Sequence, residues 1–60
     1  MMEALPKDPV MLLSVVNTKL RDIYPSLEAM CRDLGVDEKE LTERLAKLDY
    51  RYSTEENRFL

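Results

Sequence analysis

Hydrophobic residues recur with helical spacing between residues 10 and 48 of the chain. Asp8 followed by Pro9 is typical of a helix start, with an aspartate N-cap and a proline at the first helical position. Because Pro25 disfavours helical geometry at the residue before it, we expect the first helix to span residues 8–24. Its apolar side chains fall on one broad arc: Leu12, Leu13, Val16, Leu20, Ile23 and Tyr24.

Two shorter amphipathic helices are predicted after the proline. Ser26 is the expected N-cap of a helix over residues 26–34, and Gly35 follows it where a left-handed C-cap residue is expected. Asp37 and Glu40 form a variant of the capping box and predict a third helix over residues 37–48. The apolar stripes of these helices are Leu27, Met30, Cys31 and Leu34 on the second, and Leu41, Leu45 and Leu48 on the third.

The apolar period changes from helical to alternating near the C-terminus. Tyr50 and Tyr52 stand on one side of a turn-like segment, and Phe59 stands on the other, which predicts a β-hairpin over residues 50–60. An isolated hairpin is marginal in water, so its aromatic rings should pack on the helices or on another strand. The expected fold is one mainly α domain over residues 1–60: a helix-turn-helix-like three-helix unit with a C-terminal hairpin, similar to a minimal winged helix, after a short leader at residues 1–7.

Chain length and composition favour association as a source of stability. A domain of 60 residues buries only about 60% of the surface that its unfolded chain exposes, so it is marginally stable unless a disulfide, a metal or a partner reinforces it. The single cysteine excludes an internal disulfide, and one cysteine with no histidine leaves too few ligands for a zinc site. We therefore expect no metal and no cofactor, and we expect a homodimer or a complex with an unidentified protein partner.

Three apolar residues of the first helix, Val10, Met11 and Val15, lie outside its main arc and are the candidate self-association residues. The alternative interpretation of Met11 and Val15 is that the leader or the C-terminal tail covers them within one chain. The last strand of the hairpin offers a second candidate contact, because an unpaired strand edge can pair with another copy.

The helix-turn-helix pattern raises nucleic-acid binding as the alternative function, but charge disfavours it. The third helix opens with acidic residues at 37, 38, 40 and 43, and the net charge is −3, so a polyanion would be repelled. The candidate nucleic-acid contacts are the basic residues Lys39, Arg44, Lys47, Arg51 and Arg58. Of these, Arg44 and Lys47 are expected to pair with Glu40 and Glu43 one turn earlier in the helix.

The chain carries no enzyme signature. Histidine, the commonest general acid–base residue, is absent, and Cys31 lies on an apolar stripe and is expected to be an inert core thiol. The aromatic residues could stack on single-stranded nucleic acid, although completing a small core is the favoured interpretation. The longest apolar run, Val10–Leu13, is far too short to cross a membrane, so we expect a cytoplasmic protein without a membrane contact.

Three segments also carry a family resemblance: LPKDPVMLLSVVNTKLRD at Leu5–Asp22, the second-helix stretch that ends in LGV, and the closing LDYRYSTEENRF. The chain resembles a family of short bacterial proteins catalogued only as a domain of unknown function. The resemblance implies a bacterial, cytosolic, stand-alone small protein with no established activity. It supplies no catalytic or binding residue.

Overall fold

The computed structural model describes residues 5–60, and within them it has three helices followed by a two-stranded antiparallel hairpin. The expected fold class is therefore confirmed. The elements are α1 (Pro9–Asp22), α2 (Leu27–Leu34), α3 (Glu38–Ala46), β1 (Tyr52–Ser53) and β2 (Arg58–Phe59). The first four residues of the predicted leader lie outside the described residues.

Each helix begins at the residue that its local sequence predicts. Asp8 Oδ2 accepts the Met11 N–H at 3.3 Å, and Ser26 Oγ accepts the Ala29 N–H at 3.1 Å. Asp37 Oδ1 accepts the N–H groups of the second and third residues after it, at 2.9 and 3.3 Å. These oxygens satisfy first-turn N–H groups that have no carbonyl partner within the helix.

The ends of α2 and α3 share one backbone arrangement built on a left-handed residue. After α2, Gly35 has φ 68°, and the next N–H donates to the Cys31 carbonyl at 2.9 Å. After α3, Asp49 has φ 65°, and the Tyr50 N–H donates to the Leu45 carbonyl at 3.1 Å. Both are Schellman-type ends, in which a left-handed residue turns the chain and an otherwise unpaired carbonyl is satisfied. In consequence α3 ends at Ala46, two residues before the predicted position.

The core lies between the three helices and the hairpin. Its buried side chains are Leu12, Val16 and Leu20 of α1, Leu27, Met30, Cys31 and Leu34 of α2, Leu41 and Leu45 of α3, and Phe59 of β2. Ile23 was expected on the same arc, but that prediction is wrong, since its side chain is 63% exposed. The cause is that α1 ends at Asp22 and Ile23 leaves helical geometry, with φ −121°.

The hairpin is held against the helices by its inward-facing aromatic rings. Tyr52 is paired with Phe59 across the two strands, and their ring centroids are 5.6 Å apart at an interplanar angle of 54°. Phe59 is buried and Tyr52 is half-buried against the core. These two rings therefore complete the core, as favoured from the sequence, and do not form an open stacking platform. Among residues 5–60 no helix is long and apolar enough to span a bilayer.

Candidate self-association surface

One side of α1 faces away from the core along the first three turns. We define the outer face of α1 as Val10, Met11, Ser14, Val15 and Thr18, which span an arc of about 140° at 3.6 residues per turn. Val10 is 63% exposed and Met11 is 58% exposed, whereas Val15 is half-buried at one margin of the face. The three candidate self-association residues therefore lie on one side of one helix.

The outer face of α1 carries no charge, although 35% of the residues in the chain are charged. From Pro9 to Thr18 the sequence contains neither an acidic nor a basic residue. The outward side of a surface helix normally carries charged or polar residues. Valine and methionine at exposed positions, flanked only by serine and threonine, are more typical of a contact surface.

The described part of the leader, residues 5–7, contacts the core and α3. Leu5 packs against the core, and Arg44 Nη2 donates to the Lys7 carbonyl at 2.6 Å. Met11 is 58% exposed and Val15 is half-buried. The alternative that the leader or the C-terminal tail covers Met11 and Val15 stays a prediction, because residues 1–4 of the leader lie outside the described part of the chain.

The second candidate contact, the edge of the last strand, is already occupied by α1. Arg51 and Leu60 exchange two backbone hydrogen bonds, so the N–H and C=O of Phe59 point away from β1. Asn17 pairs with both groups: its Oδ1 accepts the Phe59 N–H at 2.8 Å, and its Nδ2 donates to the Phe59 carbonyl at 3.1 Å. The side chain thus takes the place of a neighbouring strand at this residue. The prediction of a free edge on the last strand is wrong.

A second asparagine fixes the turn of the hairpin to the end of α1. Asn57 Nδ2 donates to the carbonyls of Leu20 and Tyr24, both at 3.0 Å. Its Oδ1 accepts the Tyr52 hydroxyl at 2.6 Å, and that hydroxyl accepts the Leu27 N–H at 3.2 Å. Sequence reasoning missed both asparagines, because their partners lie more than 30 residues away in the chain. The one local signal was asparagine at the end of a turn, where it tolerates the observed φ of 53°.

The basic residues of the alternative hypothesis lie in separate surroundings. Lys39 is exposed in the first turn of α3 between two glutamates, and Lys47 is exposed after its end. Arg44 is bound to the leader carbonyl, and Arg58 pairs with Glu56 at 3.1 Å, while Arg51 is exposed before β1. Of the five basic residues, Arg44 and Arg58 are therefore already bonded to protein atoms, and Lys39, Lys47 and Arg51 are exposed.

The predicted ion pairs of the third helix do not form. The pairs present within residues 5–60 are Arg21–Asp22, Glu28–Arg32 and Glu56–Arg58, so neither Glu40–Arg44 nor Glu43–Lys47 is among them. Arg44 Nη2 instead donates to the backbone carbonyl of Lys7 at 2.6 Å. Among the described residues, Glu28 and Arg32 of α2 form the ion pair between positions four apart on a helix, at 3.2 Å.

The thiol of Cys31 lies in a setting that suppresses thiolate formation. Burial raises the pKa of Cys31, and the nearby carboxylates of Glu38 and Asp37 raise it further. A thiolate is the nucleophilic and metal-binding form of cysteine, so this environment is unsuited to either role. Among the described residues, no three histidine, cysteine, aspartate or glutamate side chains are placed to share a metal ion.

A shallow groove of about 290 Å³ separates α1 from the hairpin turn. Its polar lining includes Asn17, Asn57, Arg21 and Arg58. Both carboxamides are hydrogen-bonded to backbone, and both guanidinium groups are paired with neighbouring carboxylates. Because these groups already bond to protein atoms, the groove is part of the contact between hairpin and helix, and the outer face of α1 is the stronger candidate site.

Comparison with known proteins adds a family and no activity. The family model described as Domain of unknown function (DUF4250) matches residues 6–59 of the chain. This match confirms the expected resemblance to an uncharacterised family. Neither a curated protein nor a solved structure gives a significant match.

Proposed function

We propose, for a chain that belongs to the family Domain of unknown function (DUF4250), a role as a non-enzymatic protein interaction module that self-associates through the outer face of α1. The observation that carries the proposal is the exposure of Val10 and Met11 on an uncharged helix surface. The role requires no bound group and no reactive side chain, in keeping with the suppressed ionisation of Cys31.

The energetics favour covering this face. Complete burial of a valine or methionine side chain contributes about 1.5–3 kcal/mol, and more than half of each side chain is still in contact with water. A 14-residue helix is about 21 Å long, so two such faces bury less than the roughly 1,600 Å² of a standard interface. The expected complex is consequently a weak homodimer that forms at micromolar concentration.

Size-exclusion chromatography coupled to light scattering tests self-association directly. At tens to hundreds of micromolar, the wild-type mass should rise from the monomer value of 7.1 kDa toward twice that value. The variant Met11→Glu should remain monomeric, because dimerisation would bury a carboxylate. Glutamate three residues after the Asp8 N-cap completes a capping box, so the variant helix retains its start.

Ile23→Glu is the matched control for Met11→Glu. Ile23 is exposed to the same extent as Val10 but lies beyond the end of α1, off the outer face. This variant should dimerise like the wild type. A wild-type chain that stays at 7.1 kDa over the whole concentration range would refute the proposal, as would equal loss of dimer in both variants.

The alternative of nucleic-acid binding predicts a different behaviour. Phosphate contacts release counterions, so affinity would fall steeply as salt concentration rises. The acidic start of α3 and the bonds that Arg44 and Arg58 already make to protein atoms weigh against such contacts. A labelled duplex at low salt should therefore show no shift with the wild-type chain, and a salt-sensitive shift would favour the alternative.

A further inference from the structure

The hairpin is fastened to a part of the chain that is distant from it in sequence. Asn17 of α1 pairs with both main-chain groups of Phe59, at 2.8 and 3.1 Å. Asn57 Nδ2 donates to the carbonyls of Leu20 and Tyr24, both at 3.0 Å. The residues joined by these bonds are between 33 and 42 positions apart in the chain. The same bonds can therefore form when a second copy supplies the hairpin.

The joint between α3 and the hairpin, residues 47–50, holds the chain in an unfavourable conformation. Asp49 has φ 65°, in the left-handed region, where a residue with a Cβ atom is penalised. The apolar stripe of Leu41, Leu45 and Leu48 has helical spacing and extends past the last residue of α3. With Asp49 in a right-handed conformation, α3 would continue along its axis and carry the hairpin away from its own α1.

From the distant bonds of the hairpin and its left-handed joint, we infer that two copies of the chain exchange their hairpins. In the exchanged dimer, Phe59 of each copy fills the core of the other, and Asn17 of that other copy binds its main chain. Exchange of an identical element is a low-cost route to a closed dimer, because the contacts of the monomer are kept. The left-handed conformation of Asp49 is lost in both copies. The inference does not depend on the outer face of α1, which takes no part in these contacts.

Hairpin exchange predicts a dimer that dissociates slowly, because Phe59, which is 2% exposed, must leave the core before the copies separate. The full chain is unfolded in urea, refolded at millimolar concentration and then diluted to tens of micromolar. Size-exclusion chromatography with light scattering should find a dimer near twice 7.1 kDa that persists to the next day. Chain refolded at micromolar concentration should be monomeric by this criterion. Met11→Glu should give the same slowly dissociating dimer as the wild type.

Substitutions at the joint should shift the dimer in opposite directions. Asp49→Gly should lower the equilibrium ratio of exchanged dimer to monomer by about tenfold, because glycine adopts the left-handed conformation of the monomer without a Cβ penalty. Asp49→Ala should raise this ratio, because alanine favours the continued helix. Thr54→Ala, at an exposed position in the hairpin turn, is the matched control and should leave the ratio unchanged.

Isotope-filtered NMR identifies the exchanged contact itself. Copies labelled with ¹⁵N and copies labelled with ¹³C are unfolded, mixed and refolded together at millimolar concentration. The dimer should show a cross-peak between the side-chain amide protons of Asn17 in the ¹⁵N copy and the carbon-bound protons of Phe59 in the ¹³C copy. A slowly dissociating dimer without this cross-peak would overturn the inference, as would equal dimer ratios in Asp49→Gly and Thr54→Ala. A dimer that dissociates at once on dilution would also overturn it, while leaving the proposed self-association through the outer face of α1 intact.

Discussion

Two asparagine side chains act as backbone substitutes in this small fold. Asn17 pairs with both main-chain groups of Phe59, and Asn57 joins the hairpin turn to two carbonyls at the end of α1. Tyr52 links this network to the first N–H of α2. The hairpin has only two residues per strand, so these side-chain bonds supply contacts that a longer sheet would make through its backbone.

Replacing Asn57 with aspartate tests that role. Asn57→Asp keeps the acceptor for Tyr52 and the tolerance for positive φ but removes the amide that donates to Leu20 and Tyr24. Two part-buried carbonyls then lose their donor, and a carboxylate faces them. The free energy of unfolding should fall by about 1–3 kcal/mol, measured by urea denaturation at neutral pH.

Thr54→Ala, at an exposed position in the same turn, is the control for this measurement. Substitutions at such surface positions usually change stability by less than about 0.5 kcal/mol. If Asn57→Asp unfolds at the same urea concentration as Thr54→Ala, the carboxamide bonds do not stabilise the hairpin.

The thiol of Cys31 gives a prediction in the alkaline range. Its pKa is raised in the fold, first by burial and then by Glu38 and Asp37. In the unfolded chain the thiol ionises near its ordinary pKa of about 8.5. Because the pKa is higher in the folded state, the thiol makes its full contribution to the free energy of unfolding below that pH. Its contribution is lost as the pH rises from there through the folded-state pKa. At pH 8, Ellman's reagent should label the native protein much more slowly than the urea-unfolded protein, and equal rates would contradict the burial of the thiol.

The ends of α2 and α3 have the same backbone arrangement but different residues at the left-handed position. The same Schellman-type arrangement uses glycine at residue 35 and aspartate at residue 49. A left-handed conformation costs a residue with a Cβ atom about 1–2 kcal/mol relative to glycine. We therefore expect Gly35→Ala to destabilise the protein by about 1 kcal/mol and Asp49→Gly to stabilise it by about 0.5–1 kcal/mol.

Urea denaturation of both variants beside the wild type measures these opposite shifts. Both positions are exposed, so changes in core packing do not enter the comparison. A shift of the same sign in the two variants would show that the left-handed backbone is not the determining factor at these ends.

The helix starts were predictable because each depends on residues within one turn. Asp8, Ser26 and Asp37 cap α1, α2 and α3 through bonds that span three residues or fewer. The end of α3 was placed too late because a left-handed aspartate has no strong local signature. The end of α1 was also placed late, since the pattern alone did not show that Ile23 departs from the helix.

The candidate surface was predictable in part for a similar reason. Helical spacing alone places Val10 and Met11 outside the core arc, and the structure leaves both exposed. The occupied edge of the last strand was not predictable, because it depends on Asn17 meeting Phe59 across 42 residues. Contacts of that length are decided by how the elements pack, which a local pattern does not encode.

For the whole molecule, the small core links the proposed self-association to the stability of the fold. Within residues 5–60, ten side chains form the buried cluster, and the two large exposed residues of α1 lie outside it. A domain of this size has a limited hydrophobic contribution to folding. Covering the outer face of α1 would add apolar burial that one chain does not achieve alone.

Thermal unfolding at several protein concentrations measures that link. Anything that binds the folded state and not the unfolded state raises the midpoint, and for a self-associating chain this stabilisation grows with concentration. In a domain of 60–100 residues, each kcal/mol corresponds to roughly 4–8 °C, so the wild-type midpoint should rise by several degrees from tens of micromolar to millimolar. The midpoint of Met11→Glu should not rise with concentration, whereas the midpoint of Ile23→Glu should rise like that of the wild type.

The change of the midpoint with protein concentration is the quantity to compare, and not the midpoint itself, because the new capping-box glutamate also stabilises the helix of the monomer. A wild-type midpoint that is independent of concentration would mean that the outer face of α1 stays uncovered and that the core alone stabilises the fold.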